Sequence, residues 1–222
     1  MIEKKTISSS RLQRMSTVAE NRLDGLTMVA EGTHLRHNLS AIIRSAESFG
    51  VSKVHLISTG KQKSSGAAKG SERWVELKIH TNAEQCMTEL KNQGYKVFVA
   101  DFQEDSFTPE TLPIDQKVAI VMGTELAGIS EKTKELADGS VMIPMFGFTQ
   151  SLNVSVASAC LLQRIATRMR EQEVGLMSET NRQCLLDFWV EREATERNYR
   201  LNRTSLKVEM PVEPSVDEDP HL

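Results

Sequence analysis

No apolar run in this chain approaches the roughly 20 residues that a membrane-spanning helix needs, and the opening MIEKKTISSSRLQRM has no apolar h-region. Neither a membrane span nor a secretory signal is expected. Cysteine is scarce: Cys86, Cys160 and Cys184 form no CxxC pair and leave one thiol over in any pairing. That suits a reducing compartment and argues against a disulfide scaffold. No GxGxxG follows a strand-like run, which speaks against a Rossmann dinucleotide site. Gly123 and Gly128 have GxxxxG spacing but lack the Lys-Ser/Thr of a Walker loop. His34 and His37 stand in HxxH spacing with no further ligand set in view, so no metal is expected. The expectation is a soluble, cytoplasmic protein.

An excess of positive charge is lacking too. Lys and Arg number 27 against 30 Asp and Glu, a net charge of -3. The average hides an asymmetry, because EMPVEPSVDEDPHL (Glu209 to Leu222) holds five acids and no Lys or Arg. Outside it, 27 basic residues face 25 acidic ones, which permits RNA binding without demanding it. The tail, 206–222, is Pro-rich and poor in large apolar residues, and is expected to be disordered.

What the chain does have is an alternation of apolar bursts and helical patterns. Strand candidates are LTMVAE (26–31), KVHLIS (53–58), VELKIH (75–80), KVFVADF (96–102), VAIVMG (118–123) and SVMIPM (140–145). Between them lie helical stretches at 38–49, 82–94 and 130–139. Asn82 and Ser130 are placed to cap the last two, and Gly94 and Gly139 to end them. A long helix is predicted from Ser151 to about Arg170, and another over roughly 179–198. The alternation predicts an α/β fold with a mostly parallel sheet. A basic helical arm (1–23) precedes a core domain (24–172), and a helical arm (173–205) follows it. The length of 222 residues can bury such a core without staples.

Two helices are anomalous. In HNLSAIIRSAESFG, Leu39, Ile42, Ile43, Ala46 and Phe49 fall on one stripe and Asn38 is placed as a cap, while Arg44 lies almost opposite the stripe. Taken alone, that is a solvated arginine. The helix from Ser151 has no polar face, and its first turns are unusually small (Ser151, Ser155, Ala157, Ser158, Ala159). A helix apolar all round is normally covered on all sides. The cover is either the rest of a monomeric core or a partner subunit. Ser151 and Asn153 sit where free N–H groups gather at a helix start, a place for a polar or anionic ligand. Gly123 ends a buried strand, where ligands of open α/β sheets bind, and Glu125 is either a surface carboxylate or a ligand-facing one.

HNLSAIIRSAESFGV, IVMGTELAGI and IPMFGFTQSLNVSVASA, in that order, resemble the SpoU branch of the SPOUT class of RNA ribose 2'-O-methyltransferases. RWVELKIH (73–80) and the terminal FW pair (188–189) are similar to its TrmH subgroup, which modifies tRNA guanosine-18. The resemblance covers about residues 12–190. It implies an α/β fold with a C-terminal deep trefoil knot, S-adenosyl-L-methionine as cofactor, and a homodimer with the site at its interface. By matching motif positions it implies catalytic roles for Arg44, Asn38, Glu125, Ser151 and Asn153. It implies cofactor contacts from Met122, Gly123, Ile143, Met145, Ser151 and Leu152. A guanidinium stays protonated in nearly all settings, so Arg44 is read as a charge stabiliser and phosphate clamp rather than a base. The family's Lys-Pro before His-Asn is replaced here by Leu35-Arg36.

RNA contacts are expected from Arg11, Arg14 and Arg22 on the N-terminal arm, and from Lys61, Lys63, Lys69 and Arg73 on the long loop and its end. On the C-terminal side the candidates are Arg164, Arg168, Arg170, Arg197, Arg200 and Arg203. Such contacts position RNA without reading its sequence. Three functions are weighed: 2'-O-methylation of tRNA guanosine-18, the same chemistry on ribosomal RNA, and a non-catalytic RNA-binding protein on this scaffold. Ribosomal relatives typically carry a separate N-terminal RNA-binding domain. About 23 residues precede the first strand here, which favours tRNA. The retained Asn38, Arg44, Glu125, Ser151 and Asn153 argue against the non-catalytic reading.

Overall fold

The computed structural model describes residues 7–32, 36–58, 73–125 and 127–208, with side chains beyond 195 and that of Arg36 left aside. Six strands form one sheet in the order β3-β2-β1-β5-β4-β6, and every pairing is parallel. They are β1 (Leu26–Glu31), β2 (Lys53–Ile57), β3 (Glu76–His80), β4 (Tyr95–Ala100), β5 (Lys117–Met122) and β6 (Gly139–Val141). The central strands β1 and β5 are almost wholly buried, as expected when helices cover both faces of a parallel sheet.

Side-chain alternation sorts the core into two layers. On one face Met28, Ala30, Val54, Val118 and Ile120 meet α2 (Arg36–Ser48) and α5 (Val154–Glu171). The predicted stripe of α2 is the buried one: Ile42, Ile43 and Ala46 are at most 2% exposed. From α5, Leu161, Leu162, Ile165 and Met169 enter the same layer. Each such side chain contributes about 1.5–3 kcal/mol by leaving water. On the other face Val29, Ile57, Val97, Ala119 and Val121 pack on α3 (Ala83–Asn92) and on Ile129, Leu136 and Ala137, which flank or end α4 (Glu131–Leu136). A third cluster joins α1 (Ser9–Glu20) to α6 (Glu179–Val208) through Met15, Ala19 and Trp189.

The chain after α5 is pinned back to the start of the sheet. Asp24 and Gly25 N–H groups both donate to the Gly175 carbonyl, and a Cβ on Gly25 would sit 2.4 Å from the Gly175 Cα. Gly175 itself has φ +65°, so the close approach needs glycine on both sides.

Several expectations are corrected. Asn38 does not cap α2: the helix starts at Arg36, and Asn38 is buried in its first turn. The long helix begins at Val154, not Ser151. Asn153 is its cap, accepting from the Ser155 N–H at 2.9 Å. Of the two covers weighed for this helix, a monomeric core is the one not found among the described residues, since Val156 is 48% exposed and Cys160 is also exposed. The helix capped by Ser130 stops at Leu136, before Gly139. Asp138 exchanges hydrogen bonds with the Val97 backbone and pairs with Lys91 and Lys96, which draws the chain out of the helix and onto the sheet edge as β6. The last helix runs past 198 to Val208. Residues 209–222 of the expected tail lie outside the described residues. Among the described residues no helix is long and apolar enough to cross a membrane.

Candidate functional site

At the C-terminal ends of β4, β5 and β6 the chain encloses a cleft of about 860 Å³. Met122, Gly123, Ile143, Met145, Ser151 and Leu152, the six positions matched to cofactor binding, all line it. The loop after β5 folds back on itself, with Thr124 and Gly128 exchanging two backbone hydrogen bonds of 3.0 Å. A Cβ at Gly123 would lie 2.3 Å from the Gly128 carbonyl, so this return is open only to glycine. Thr124 Oγ1 adds a hydrogen bond from the Ala127 N–H at 2.9 Å, and the fixed turn leaves Glu125 at the cleft wall.

There three distant motifs meet. Asn38 Nδ2, from α2, donates to Glu125 Oε1 at 3.2 Å. Asn153 Nδ2, at the head of α5, donates to the same oxygen and also reaches Asn38 Oδ1 at 3.4 Å. Asn153 Oδ1 is meanwhile occupied by the Ser155 N–H and hydroxyl. Each asparagine is thus locked by its partners, and the carboxylate is oriented by two amides. Ser151 lines the cleft beside them, exposed.

Arg44 does not join this cluster within one chain. It lies on the exposed side of α2 and has no hydrogen bond or ion pair to another described residue. Around the cleft mouth the surface is unusually apolar: Phe102 is 80% exposed, and Phe146 and Phe148 are almost fully so. Leu152, just ahead of α5, and Val156 in its first turn extend this patch. Exposed apolar area of this kind marks a surface that meets something else.

The sequence reading missed Asp101 and Phe102, which line the cleft from the end of β4. The signal was present in KVFVADF, a buried strand ending in an acid at the edge where ligands bind. Asp101 pairs with Lys134 at 2.9 Å.

The arginines expected to meet RNA divide sharply. Arg22 is a correction: it is 1% exposed and cannot reach a phosphate. Its guanidinium donates to the Glu47 and Val51 carbonyls and to Glu47 Oε1 at 2.8 Å, and its Cζ lies 5.3 Å from the Trp189 ring centre. Burial pulls its pKa down, while Glu47 opposes that shift. Arg170 spends its donors on the carbonyls of Asn21, Phe49 and Ala166, and burial lowers its pKa as well. Arg168 donates to the carbonyls of Pro109 and Leu112. Arg11 and Arg73 both pair with Glu193 and lie over Trp74, and Arg164 pairs with Glu110. Arg14 is exposed. Lys61, Lys63 and Lys69 lie outside the described residues, as do the side chains of Arg197, Arg200 and Arg203. Of the HxxH pair, His37 is exposed and His34 lies outside the described residues.

Comparison with known proteins follows the same outline. The model of the SpoU rRNA Methylase family matches residues 25–163. The tRNA (guanosine(18)-2'-O)-methyltransferase of Escherichia coli K12 is 34% identical over 187 residues, 81% of this chain and 82% of that protein. A 23S rRNA (guanosine-2'-O-)-methyltransferase of Burkholderia is 31% identical, over 65% of this chain and 60% of its own length. Among solved structures, the Aquifex aeolicus TrmH/SpoU tRNA modifying enzyme superposes with a TM-score of 0.74 at 30% identity, covering 83% of this chain and 96% of that one. The match to the family model takes in the sheet, the Glu125 loop and the first half of α5, and on that extent the chain belongs to the SpoU methylase family.

Proposed function

We propose that this protein transfers a methyl group from S-adenosyl-L-methionine to a ribose 2'-hydroxyl of tRNA, most specifically that of guanosine-18. The observation that carries the reading is the convergence of Asn38, Glu125 and Asn153 on the wall of a cleft lined by the six cofactor-matched residues. The tRNA substrate is favoured over ribosomal RNA by coverage: the E. coli tRNA enzyme is matched over 82% of its length, the ribosomal one over 60%.

The cleft suits the cofactor. Its volume lies within the range that holds a drug-sized ligand. Its walls combine apolar side chains (Met122, Ile143, Leu152) with backbone that Gly123 lets fold close by. When bound, S-adenosyl-L-methionine supplies an electrophilic methyl group on a sulfonium. The rest is the work of this chain's residues. Glu125, oriented by two amides, gives the cleft a fixed carboxylate, and Ser151 offers a hydroxyl at its mouth. Arg44 holds the target phosphate and stabilises negative charge developing on the ribose oxygen, an electrostatic role that a permanently charged guanidinium fills. Positioning contributes the remainder, because methyl transfer needs the oxygen aligned behind the methyl.

We read the protein as a homodimer. A second copy laid over α5 and the cleft mouth would cover Val156 and Phe146 and bring Arg44 to a shared site. The segment from β5 through α5 is read as the trefoil knot of the family. The 1–23 and 173–205 arms, with the 24–172 domain between them, are read as the RNA-gripping parts, through Arg14 and Lys63. The arginines paired with Glu193 are their inner brace. The location proposed is the cytoplasm.

The test is methyl transfer from labelled S-adenosyl-L-methionine to unmodified total tRNA and to ribosomal RNA, with the modified nucleotide mapped. A ribose methyl at guanosine-18 supports the reading, and transfer to ribosomal RNA alone refutes the tRNA assignment.

A further inference from the structure

On the sheet face opposite α2 and α5, away from the cluster around Glu125, three groups that ligate metals are buried together. His55 lies mid-strand in β2, His80 ends β3, and Cys86 projects from α3. The register sets His55 opposite Lys78 and His80 opposite Ile57, so alternation puts both imidazoles on the side that α3 covers. All three residues are at most 1% exposed. One ligating atom from each lies within 4.8 Å of the other two.

The histidines are incompletely satisfied. His55 Nδ1 and His80 Nε2 are 2.9 Å apart, and the rings stack with centres 5.1 Å apart. One nitrogen donates and the other accepts. Whichever way the proton lies, the two remaining nitrogens, His55 Nε2 and His80 Nδ1, hold one N–H and one lone pair between them. Neither has a partner. Each unmet group is desolvated without compensation, a cost that an apolar pair in this core would avoid. Burial also opposes charge here, holding the His55 pKa down at about 4 and the Cys86 thiol up at about 12. In the neutral pair, moving the shared proton to the outer nitrogen of its own ring frees the lone pairs of His55 Nδ1 and His80 Nε2 to ligate.

We propose that His55, His80 and Cys86 bind one borderline-to-soft transition-metal cation of the Zn²⁺ class, tying β2, β3 and α3 together. Binding is a ligand exchange without redox change: the Cys86 S–H bond breaks, its proton goes to solvent, and the sulfur forms a bond to the cation. Two neutral imidazoles and one thiolate leave a single positive charge, with the carboxylates of Glu31 and Glu89 nearby and Lys78, paired with Glu89, opposing them. Zinc–nitrogen bonds of 2.0–2.1 Å at a tetrahedral angle separate two ligand nitrogens by about 3.3 Å, so the imidazole pair opens by about 0.4 Å. Three protein donors leave the fourth position to water. With no carboxylate among the donors, Mg²⁺ and Ca²⁺ are excluded.

Co²⁺ serves as the spectroscopic probe, added to the metal-free full chain. One equivalent is expected to produce a thiolate-to-cobalt charge-transfer band, which one equivalent of Zn²⁺ abolishes. Cys160 and Cys184 are both exposed, so the Cys160→Ser/Cys184→Ser double variant keeps its fold and leaves Cys86 as the sole thiol. That variant is expected to keep the full band. Cys86→Ser is expected to lose it, and His80→Gln to bind Co²⁺ at least about tenfold more weakly. Absence of the band in the unaltered chain, its loss in the double variant, or its persistence in Cys86→Ser overturns the proposal. If Cys86→Ser fails to fold, the double variant decides alone.

Discussion

Two amides and one carboxylate oxygen set the geometry of the proposed site, and the consequences of altering them differ. Glu125→Ala leaves the Asn38 amide without its acceptor, and Asn38 is 4% exposed with little water to replace it, while Asn153 keeps Asn38 Oδ1. An unmet buried group costs about 1–3 kcal/mol, so kcat/KM is expected to fall about 10- to 100-fold, as steady-state kinetics will read. Glu125→Gln keeps one acceptor and loses less. Arg44 has no hydrogen bond or ion pair to another described residue. Arg44→Ala is therefore expected to leave thermal stability and S-adenosyl-L-methionine affinity, read by calorimetry, nearly unchanged. Turnover should drop by about 10²–10³ or more, the usual size of losing one charge-stabilising donor. Equal loss of affinity and turnover would contradict the role given to Arg44. Although pattern alone leaves Arg44 a solvated arginine, these residues were legible through the resemblance of their three motifs to the SpoU branch. Arg22 was not. An arginine on a short amphipathic arm reads as solvated, and nothing local reveals that Trp189, far along the chain, closes over it.

At the level of elements, Arg22 and Arg170 become the fastenings of α2. Arg22 grips the Glu47 and Val51 carbonyls and Arg170 the Phe49 carbonyl, all at the C-terminal end of the helix that carries Arg44. Carbonyls at a helix end lack partners within the helix, and a guanidinium supplies several donors at once. Arg22→Ala removes these bonds, leaves Glu47 unpaired and opens space beneath Trp189. A loss of about 2–4 kcal/mol is expected in urea unfolding, less than for a fully buried pair because Glu47 is 26% exposed. Strand placement was readable within a residue or two for five of the strands, since buried parallel strands announce themselves as apolar runs, but the strand expected over 140–145 is only Gly139–Val141. Helix ends were less so. Gly139 looked like a helix stop, but Asp138 had a stronger claim on the chain through the Val97 backbone.

For the molecule as a whole, the open question in the sequence was what covers the apolar helix after Asn153. One chain covers the side bearing Leu161, Leu162 and Ile165 and leaves Val156 and Cys160 bare beside an apolar cleft mouth. A single sequence could not divide those two sides, because both are small or apolar. In the dimer reading, sedimentation equilibrium gives a mass twice that of the 24.8 kDa chain, and Val156→Glu returns it to monomer with methyl transfer lost. A folded Val156→Glu monomer with full activity would contradict it. The central claim, that this fold serves methyl transfer to a tRNA ribose, is tested most directly with two transcripts of one tRNA that differ only in the 2'-hydroxyl of guanosine-18. Incubated with labelled S-adenosyl-L-methionine, the ribose form is predicted to take up methyl stoichiometrically and the 2'-deoxy form none. Equal labelling of both, or of neither, would contradict the account.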